Sequence, residues 1–517
     1  MEQIVSLYSY IIEHLNEDGF FTETALPDEA GRKNAMDLGA WDADTYRVGS
    51  TDNMKLGREI VRALRGYIMD PGPASFTRLT GILKGHAMSE YCNAFFQLFD
   101  RIEMNVTVFT LAKELFYGGK YREQVKFAYL LFSLKGMEFI KVCHNRLWRD
   151  MVKVAHCEEF TFPFLFACRG GGYFPRREVW ELLGCTKGWG KIFCLMDCQC
   201  NTDAERMWLI RHGAELEIEY PPISLRLIEE TRLEKFLQQA ELDYGCYKGA
   251  ALIVIDFLVA LPRFSEADMA ANFNIHDVDI YSLVERILQN AERLIDKLED
   301  LMDVGRIAEA LRSIEEENKP LLLSTNQCHE LIARCDAIIY DPKWWQNWQQ
   351  ELFEGGRVNY ELCDYAYNSG MDIWPQLMDY WDKHPEEVRL FPYLLSPEEK
   401  ERGSQVIHKI ASRLRLYTGE GELLVPLRYL KEHPGEGEAI ICAALNSIYD
   451  LPRWVACVSL HEWGSSYVTP VIRQALFSAR RLSVDKRIKD HVEFLLQPGY
   501  KAGSVSPKPD FTPEMLN

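Results

Sequence analysis

Residues 188–213 read GWGKIFCLMDCQCNTDAERMWLIRHG and predict two short helices joined by a tight turn. Ile192, Leu195 and Met196 are spaced so that their side chains share one helical face. Thr202 and Glu205 match the T-x-x-E capping box, in which two side chains satisfy backbone N–H groups at a helix start. A new helix is therefore expected to begin just after Thr202.

The second helix of this hairpin is expected to bury a stripe formed by Ala204, Met207 and Trp208. Gly213 follows two basic residues and marks the end of that helix. A helical hairpin with one apolar face cannot bury that face alone, so it needs neighbours of its own kind. The stretch predicts helical pairs that stack on one another.

Similar helical segments follow along most of the chain, and no segment alternates polar and apolar residues convincingly over more than a few positions. Helical pairs recur about every 30 to 45 residues and are separated by glycine or proline turns. The predicted class is all-α, and the spacing favours an α-solenoid of degenerate HEAT-like helical hairpins. The clearest expected helices span 1–16, 54–68, 108–116, 125–132, 249–261, 436–449, 452–462, 468–481 and 484–496.

The chain has 517 residues, which exceeds the roughly 250–300 at which a single hydrophobic core stops growing. Five parts are expected: an N-terminal helix and long surface loop, a helical-repeat region, a long heptad-bearing helix with its partner, a second repeat region and an extended tail. Their bounds are 1–52, 53–275, 276–318, 319–497 and 498–517. The polar stretch 20–51 is long for a loop, so it wraps the surface or lies near a site.

One segment departs from the paired pattern and carries a heptad seam, in which apolar residues step by four and three. Its members are Ile280, Val284, Ile287, Ala291, Leu294, Leu298 and Leu301. The seam fits a single long helix that crosses its own chain, and it also fits a homodimer interface through 280–301. The sequence leaves both interpretations open.

Composition excludes several partners. The formal net charge of −19 argues against nucleic acid and against an anionic membrane surface, since either would be repelled. The most apolar run, 249–261, contains Asp256 and is shorter than the ~20 residues that span a bilayer. Glu2 stands where a signal peptide would carry basic residues, and fourteen cysteines then indicate free thiols in a reducing compartment. We therefore expect an acidic cytoplasmic protein.

Metal-binding patterns are incomplete. Cys194, Cys198 and Cys200 form the densest thiol group, but C-x3-C-x-C matches neither zinc ribbons nor iron–sulfur clusters, so incidental cysteines in a buried helix are the alternative. No histidine follows a glutamate by three residues, as a di-iron helical site requires. Cys168 lacks the preceding glycine and basic residue of a haem-thiolate loop. We find no haem, flavin or metal motif.

Nucleotide-binding patterns are equally partial. Gly188 and Gly190 begin G-x-G-x-x-G, but no strand precedes them and the last glycine is missing. Residues 80–87, TGILKGHA, approximate the T-G-x-x-x-G-x-G of short-chain dehydrogenases, and Tyr244 with Lys248 forms Y-x-x-x-K. In that family the lysine lowers the pKa of the tyrosine, which then acts as the acid/base. Tyr244 and Lys248 are therefore the candidate catalytic residues, with ordinary helix and loop as the alternative.

Aromatic residues concentrate between 344 and 381. They could line an apolar ligand groove between helices or form core packing in a thin layer of helices. The residues are Trp344, Trp345, Trp348, Tyr360, Tyr365, Tyr367, Trp374, Tyr380 and Trp381.

Two resemblances follow from these segments. The pattern GWGK…NTDAERMWLIRHG is similar to the helical repeat of HEAT-like bacterial proteins. The whole chain resembles bacterial proteins named limonene hydroxylase, on the segments MEQIVSLYSYIIEHLNEDGFF, LGAWDADTYRVGSTDNMKLGREIVRALRGY and YFPRREVWELLGCTKGWGKIFC. This resemblance implies a monoterpene monooxygenase that converts limonene to carveol or perillyl alcohol. It also implies dehydrogenation of those alcohols with NAD(P)H as cofactor.

Two functional hypotheses result. The first, implied by the resemblance, is a terpene oxidoreductase that binds limonene between helices. The second, drawn from the helical pattern, is a noncatalytic HEAT-like repeat scaffold that binds a protein partner. The resemblance transfers no catalytic residue, because it carries no catalytic motif.

Overall fold

The structure is a computed structural model that describes residues 6–29, 36–47, 53–99, 106–218, 220, 222–238, 242–263, 278–316, 323–396 and 399–502. The chain forms two compact units, Met1–Tyr340 and Asp341–Asn517, referred to below as the N-terminal and C-terminal units. Each unit is built from helices, and the described residues contain no strand beyond an isolated bridge between Leu15 and Phe21. The predicted all-α class is confirmed. The five-part division made from the sequence stays a prediction.

The first half of the N-terminal unit consists of short helices that surround α7. They are α1 (Leu7–Glu13), α2 (Ala40–Arg47), α3 (Met54–Met69), α4 (Pro73–Leu83), α5 (Cys92–Phe99), α6 (Val106–Gly118), α7 (Arg122–Ser133), α8 (Met137–Cys143), α9 (Asn145–Val154) and α10 (Glu158–Gly170). Helices α4, α6, α8 and α10 all pack against α7, so almost every side chain of α7 is buried, including its charged ones. The core of this half therefore lies around α7.

The second half of the unit continues with longer helices. They are α11 (Arg176–Leu183), α12 (Gly188–Asp197), α13 (Asp203–His212), α14 (Pro222–Thr231), α15 (Leu233–Leu237), α16 (Tyr244–Ala260), α17 (Ile280–Leu294), α18 (Leu298–Glu316) and α19 (Thr325–Ile339). Helix α12 contacts α10 and α14, and α16 contacts α13, α14, α17 and α18. Helix α16 contains the apolar run that was predicted to be a buried helix, and eleven of its residues are buried.

The C-terminal unit is likewise built from helices that pack on one another. Its helices are α20 (Pro342–Trp348), α21 (Tyr360–Asn368), α22 (Trp374–Lys383), α23 (Phe391–Leu394), α24 (Lys400–Ser412), α25 (Leu424–Lys431), α26 (Glu438–Leu445), α27 (Asp450–Trp463), α28 (Pro470–Leu482) and α29 (Lys486–Leu495). From α25 onward, each helix packs on the second helix after it, and α25 with α26, α26 with α27, and α28 with α29 also pack as sequence neighbours. The four helices predicted between 436 and 496 are confirmed.

The two helices predicted from 188–213 are present as α12 and α13, but they pack on other helices, α12 on α10, α11 and α14 and α13 on α14 and α16. Thr202 caps α13 by accepting a hydrogen bond from the Glu205 N–H, and the Glu205 carboxylate accepts from the Thr202 N–H in return. The predicted stripe on α13 was wrong, because Ala204 is exposed whereas Leu209 and Ile210 are buried. Helix α13 turns these two residues toward its neighbours α14 and α16. The periodicity of a single helix shows that apolar residues share a face, but it does not show which face the neighbouring helices will cover.

The heptad seam does not form one long helix. Helix α17 ends at Leu294, and α18 starts at Leu298, because Ile295 has extended backbone and the Asp300 carboxylate accepts hydrogen bonds from the N–H groups of Asp296 and Lys297. Asp300 therefore caps a second helix start inside the seam. The seam residues of α17 from Ile280 to Ala291 are buried against their own chain. A homodimer through 280–301 stays a prediction, and it would require this packing to open.

The polar stretch 20–51 is partly buried. Its described part includes α2, and Leu38, Ala40, Asp42 and Ala43 lie in the interior. Residues 30–35 and 48–52, like the predicted tail beyond 502, lie outside the described residues, as does part of the helix start predicted at 396–399. The expectation that this stretch wraps the surface is therefore wrong for 38–43, which enter the core.

Candidate ligand pocket

A cavity of about 300 Å³ lies in the N-terminal unit beside α14 and α16. The non-helical segment that follows α13 forms one wall, and Arg306 of α18 also lines it. The volume is at the lower end of the range for small-molecule sites, roughly 300–1,000 Å³. Its apolar lining consists of Ala214, Leu216, Ile218, Ile223, Leu227, Leu252, Ile253, Val259 and Ala260. We call this cavity the α14–α16 pocket.

Four polar side chains interrupt the apolar lining of the pocket. Tyr220, Ser224, Asp256 and Arg306 contribute hydroxyl, carboxylate and guanidinium groups. The Arg306 guanidinium stays about half exposed and its Nη1 lies 3.4 Å from Asp303 Oδ1. The four groups offer donors and acceptors, so the chemistry fits a mainly apolar molecule that carries a hydroxyl or carbonyl group.

The segment 214–220 carries a sequence signal for this pocket. It reads AELEIEY, and its apolar residues Ala214, Leu216, Ile218 and Tyr220 line the α14–α16 pocket. Two of the intervening glutamates, Glu215 and Glu217, line a second cavity of about 300 Å³ that also contains Lys187, Lys191 and Trp208. Alternation with a period of two places successive side chains on opposite faces of a non-helical chain. One segment therefore separates two cavities.

Glu158 lies against this dividing segment. Its carboxylate accepts a hydrogen bond from the Lys187 N–H, and a Cβ placed on Gly188 would lie 3.4 Å from Glu158 Oε2 and 3.5 Å from Ile218 Cδ1. Burial and the neighbouring charge of Glu217 raise the pKa of Glu158 to about 7. The pKa of Glu158 therefore lies near neutral pH, and its carboxylate lies close to Gly188, which lines the second cavity.

The structure brings Tyr244 and Lys248 together, as the Y-x-x-x-K spacing requires. Both contact Asp300, with Tyr244 Oη donating at 2.8 Å and Lys248 Nζ at 3.0 Å, and Lys248 Nζ also lies 2.6 Å from Asp303 Oδ2. Burial and the hydrogen bond to Asp300 raise the pKa of Tyr244 to about 12. An acid/base tyrosine needs the opposite shift. The geometry supports a structural link between α16 and α18, and the catalytic role stays a prediction.

The three candidate metal ligands are buried thiols. Burial raises the pKa of Cys194 well above its usual value and raises the pKa values of Cys198 and Cys200 to about 12. Metal ligation requires the thiolate form. Within the described ranges, no group of three or more histidine, cysteine, aspartate or glutamate residues has an arrangement that could hold a metal ion. Cys168 is likewise buried, and burial raises its pKa well above the usual value.

The glycines of the partial nucleotide motif face protein atoms. A Cβ on Gly190 would lie 2.9 Å from Thr161 Oγ1 and 3.0 Å from Glu158 Cγ, so α10 occupies the space that a pyrophosphate would need. Lys191 Nζ donates to the carbonyl oxygens of His212 and Glu215. Residues 80–87 span the end of α4 and the turn after it, with helix α4 in place of the preceding strand. These residues do not fit a nicotinamide dinucleotide.

The aromatic residues between 344 and 381 mainly pack in the core of the C-terminal unit. Trp344 and Trp348 are buried and stacked with ring centroids 5.4 Å apart, and Trp381 is fully buried. Tyr365 is buried as well, whereas Tyr367 is exposed. Core packing is therefore the observed role of the buried aromatic residues, Trp344, Trp348, Tyr365 and Trp381.

A buried charge network is the largest polar feature that the sequence did not reveal. Lys126 Nζ lies 2.5 Å from Asp42 Oδ2 and 2.5 Å from Glu159 Oε1. Arg122 contacts Glu159 at 3.3 Å and Asp28 at 2.9 Å. The Gly39 and Ser89 N–H groups donate to Glu159 and Asp42. The sequence signal was the pair of basic residues at i and i+4 at the start of α7, a helix that is otherwise mostly apolar from Val125 to Phe132.

These contacts anchor the chain around Asp28 and Asp42 to α7 and α10. Burial alone would raise the pKa of Glu159, but Lys126 and Arg122 lower it below its usual value. Burial would lower the pKa of Lys126, but the carboxylates of Asp42 and Glu159 raise it above its usual value. The network keeps its groups charged and serves to position the N-terminal segment.

Comparison of the chain with protein-family models, with curated proteins and with solved structures finds no match. Across the described residues, no helix is both long and apolar enough to cross a membrane.

Proposed function

We propose that this protein binds a small, mainly apolar molecule with one polar group in the α14–α16 pocket. The observation that supports the proposal is the pocket lining itself, in which nine apolar residues surround four polar side chains. Sites of this composition are the usual location of small-molecule ligands, because the apolar surface provides affinity and a few polar groups provide orientation.

The resemblance to limonene hydroxylases suggests a monoterpene or monoterpene alcohol as the ligand. Limonene has about ten non-hydrogen atoms, and efficiencies between about 0.3 and 1.5 kcal/mol per atom allow dissociation constants from millimolar to well below micromolar. Carveol and perillyl alcohol add a hydroxyl group, which Ser224, Tyr220 or Arg306 could orient. We therefore expect the alcohols to bind more tightly than limonene.

The oxidoreductase activity implied by the same resemblance remains part of this proposal. A hydroxylation with NAD(P)H needs a site for the dinucleotide, and the residues at 188–191 and at Tyr244 and Lys248 do not fit one. We therefore assign to the chain's own residues only ligand binding, orientation and exclusion of water. The cytoplasmic location, inferred from the fourteen cysteines of the sequence, belongs to the same proposal.

Titration of the purified full chain with limonene, carveol and perillyl alcohol, followed by calorimetry, tests the binding. Val259→Trp places an indole at the pocket wall, and we expect it to weaken binding at least about tenfold. Met302→Trp is the matched control, because Met302 is similarly exposed on α18 and does not line the pocket. Equal affinities in the two variants would refute the assignment of the pocket.

Arg306→Gln tests whether the polar lining residues orient the ligand while the apolar ones provide affinity. It should weaken binding of the alcohols while leaving limonene unchanged, because limonene has no group for the guanidinium to contact. An assay of NAD(P)H-dependent limonene turnover, with and without added reductase, then tests the oxidoreductase part. Binding without turnover in both assays would support the pocket and reject the enzyme.

The alternative proposal is a HEAT-like α-solenoid that serves as a noncatalytic scaffold for a protein partner. The observation in its favour is the packing of α25 to α29, where each helix contacts the second helix after it and three of the four sequential pairs also contact each other, as stacked helical pairs do. A partner surface would then be expected on those helices. Binding of a protein partner that is unaffected by Val259→Trp would favour this alternative.

A further inference from the structure

Helix α28 in the C-terminal unit exposes apolar side chains among basic ones. Phe477 is 55% exposed in the middle of the helix, and the positions three and four residues away include Arg473, Arg480 and Arg481, so these side chains share its face. The opposite face, with Ile472, Ala475, Leu476 and Ala479, is buried in the unit. Phenylalanine and arginine in this arrangement are typical of protein interfaces.

The C-terminal end of α28 extends this exposed apolar area. Leu482 is 45% exposed and Val484 is 88% exposed, and they flank the buried Ser483. Ser483 Oγ donates to Asp450 Oδ1 at 2.8 Å, which links the end of α28 to the chain two residues after Ile448, a residue that is 81% exposed. Exposed apolar residues scattered singly are ordinary, but three in a fixed group beside Phe477 form a patch.

The backbone under this patch is held rigidly. Arg453 is buried and donates to the carbonyl oxygens of Ile448 and Tyr449, and its guanidinium lies 3.1 Å from Asp450 Oδ1. Asp450 in turn accepts from Ser483. The exposed side chains are therefore presented on a fixed frame, which reduces the entropy lost when a partner binds.

Charge distinguishes this surface from the rest of the molecule. Residues 470–489 contain six lysines and arginines and one aspartate, whereas the whole chain has a net charge of −19. Arg480 contacts Glu493 and Arg487 contacts Asp485, so part of the positive charge is already compensated. The positive charge that remains acts only on neighbouring groups, because salt screens electrostatic interactions beyond a Debye length of about 8 Å at physiological ionic strength.

We propose that this patch, formed by Ile448, Phe477, Leu482 and Val484 with Arg473, Arg480 and Arg481, binds a short acidic segment of another protein that presents apolar side chains. The apolar side chains of that segment pack on Phe477 and its aliphatic neighbours. Its carboxylates pair with the arginines, which favour bidentate contacts with carboxylate groups. We call this surface the α28 surface.

Two other occupants fit the surface less well. A second copy related by a twofold axis would place the α28 surface against itself, so that arginines would face arginines. A polyanionic membrane or nucleic acid carries an extended negative field, which the chain's net charge of −19 repels over most of its surface. A short acidic segment interacts only with the local positive charge.

The test uses the full chain and a labelled helical peptide with leucine at i, i+3, i+4 and i+7 and glutamate at the remaining positions. Two further peptides replace all glutamates by lysine or all leucines by serine. Fluorescence anisotropy should show binding of the first peptide, weakening with added salt, and at least about tenfold weaker binding of the other two. Absence of binding, or equal binding of the lysine peptide, would overturn the proposal.

Variants locate the binding on the chain. Phe477→Ala and Arg481→Glu should each reduce the affinity at least about tenfold, with thermal unfolding unchanged because both side chains are exposed. Phe139→Ala and Arg65→Glu are matched controls on exposed positions of the N-terminal unit and should bind as the unaltered chain does. Equal losses in the control variants would refute the location.

The competing occupants give different results in the same variants. Sedimentation that shows a dimer of the unaltered chain and a monomer of Phe477→Ala would assign the surface to a second copy. Flotation with phosphatidylserine vesicles that is lost in Phe477→Ala would assign it to a membrane. Either result would overturn the proposal of an acidic protein segment.

Discussion

Replacing Lys126 by methionine tests the physical account of the buried charge network. The ammonium group is 2% exposed and contacts two carboxylates, Asp42 and Glu159, that are equally buried. Methionine keeps most of the side-chain volume but leaves both carboxylates without this partner. Breaking a buried ion pair from one side costs about 3–5 kcal/mol, because a buried charge is left uncompensated.

Hydrogen exchange is the suitable assay, because a chain with two compact units has no single unfolding free energy. The Gly39 and Ser89 N–H groups donate to Glu159 and Asp42, so they report on the network directly. A loss of about 3–5 kcal/mol should speed their exchange by roughly 100- to 4,000-fold, as measured on peptides that cover 36–47 and 84–92. Peptides of the C-terminal unit serve as an internal reference.

Two variants complete this test. Lys120→Met removes an exposed lysine two residues before α7 and should change exchange of these peptides little. Adding Glu159→Gln to Lys126→Met should restore part of the protection, because one uncompensated charge is removed. If Lys126→Met changes exchange by less than about fivefold, the network does not stabilise the segment and the reasoning fails.

The pKa shift of Glu159 determines whether the stability of this segment rises or falls with pH. Its pKa is lowered in the folded protein, chiefly because Lys126 and Arg122 outweigh the effect of burial. The unfolded state therefore binds the proton more tightly, and the stabilisation is complete above the unfolded pKa near 4.5. It should be lost as the pH falls from there through the folded pKa. Glu159→Gln should flatten this acid limb of exchange in peptide 36–47.

Three further predictions concern other parts of the chain. Gly249→Ala should destabilise the N-terminal unit by about 1–3 kcal/mol, since its Cβ would overlap the Ile210 carbonyl, and the loss should appear as faster hydrogen exchange in peptides of α13 and α16. Gly305→Ala, with open space around its Cβ, should leave that exchange unchanged. Burial and a neighbouring histidine lower the pKa of His491 to about 4, so stability falls as the pH drops below about 6.5. His491→Gln should reduce the fall in Tm between pH 7 and pH 5, by an amount corresponding to about 2 kcal/mol, and an unchanged fall would contradict this. Cys143 is exposed, Cys442 is partly exposed and the other cysteines are buried, so a thiol reagent should modify Cys143 first. Cys143→Ser should lose that fast phase, and a fast phase that persists would contradict the lower exposure of the other thiols.

Local features of the fold were predictable from the sequence because they depend on neighbouring residues. The capping box at Thr202 and Glu205 formed as expected, and proline after Asp341 starts a helix whose first turn Asp341 caps. The break at Ile295 was missed because the heptad spacing continues through it. Capping by Asp300 competes with that spacing, and a search for periodicity does not detect it.

The candidate site depended on contacts between distant segments, which the sequence shows only weakly. The alternation from Ala214 to Tyr220 was overlooked in the sequence, although seven alternating residues are enough to indicate extended chain, and nothing nearby identified α16 and Arg306 as the facing walls. Conversely, Tyr244 and Lys248 had the expected spacing, but the two aspartates that bind them lie more than fifty residues away. A short motif shows only that its residues share one face of a helix. Their function depends on the side chains that face them from other parts of the chain.

The ion network has a consequence for how the protein is made. Gly39 precedes its partner Glu159 by 120 residues, and Asp42 precedes Lys126 by 84. At about 5–20 residues per second, Glu159 leaves the ribosome some 6 to 24 seconds after Gly39. During that interval the Asp42 carboxylate stays hydrated, and Leu38 and Ala40 have no interior to enter. A nascent chain of this protein therefore exposes its first apolar segment until α10 is complete, which makes that period the time at which a chaperone would bind.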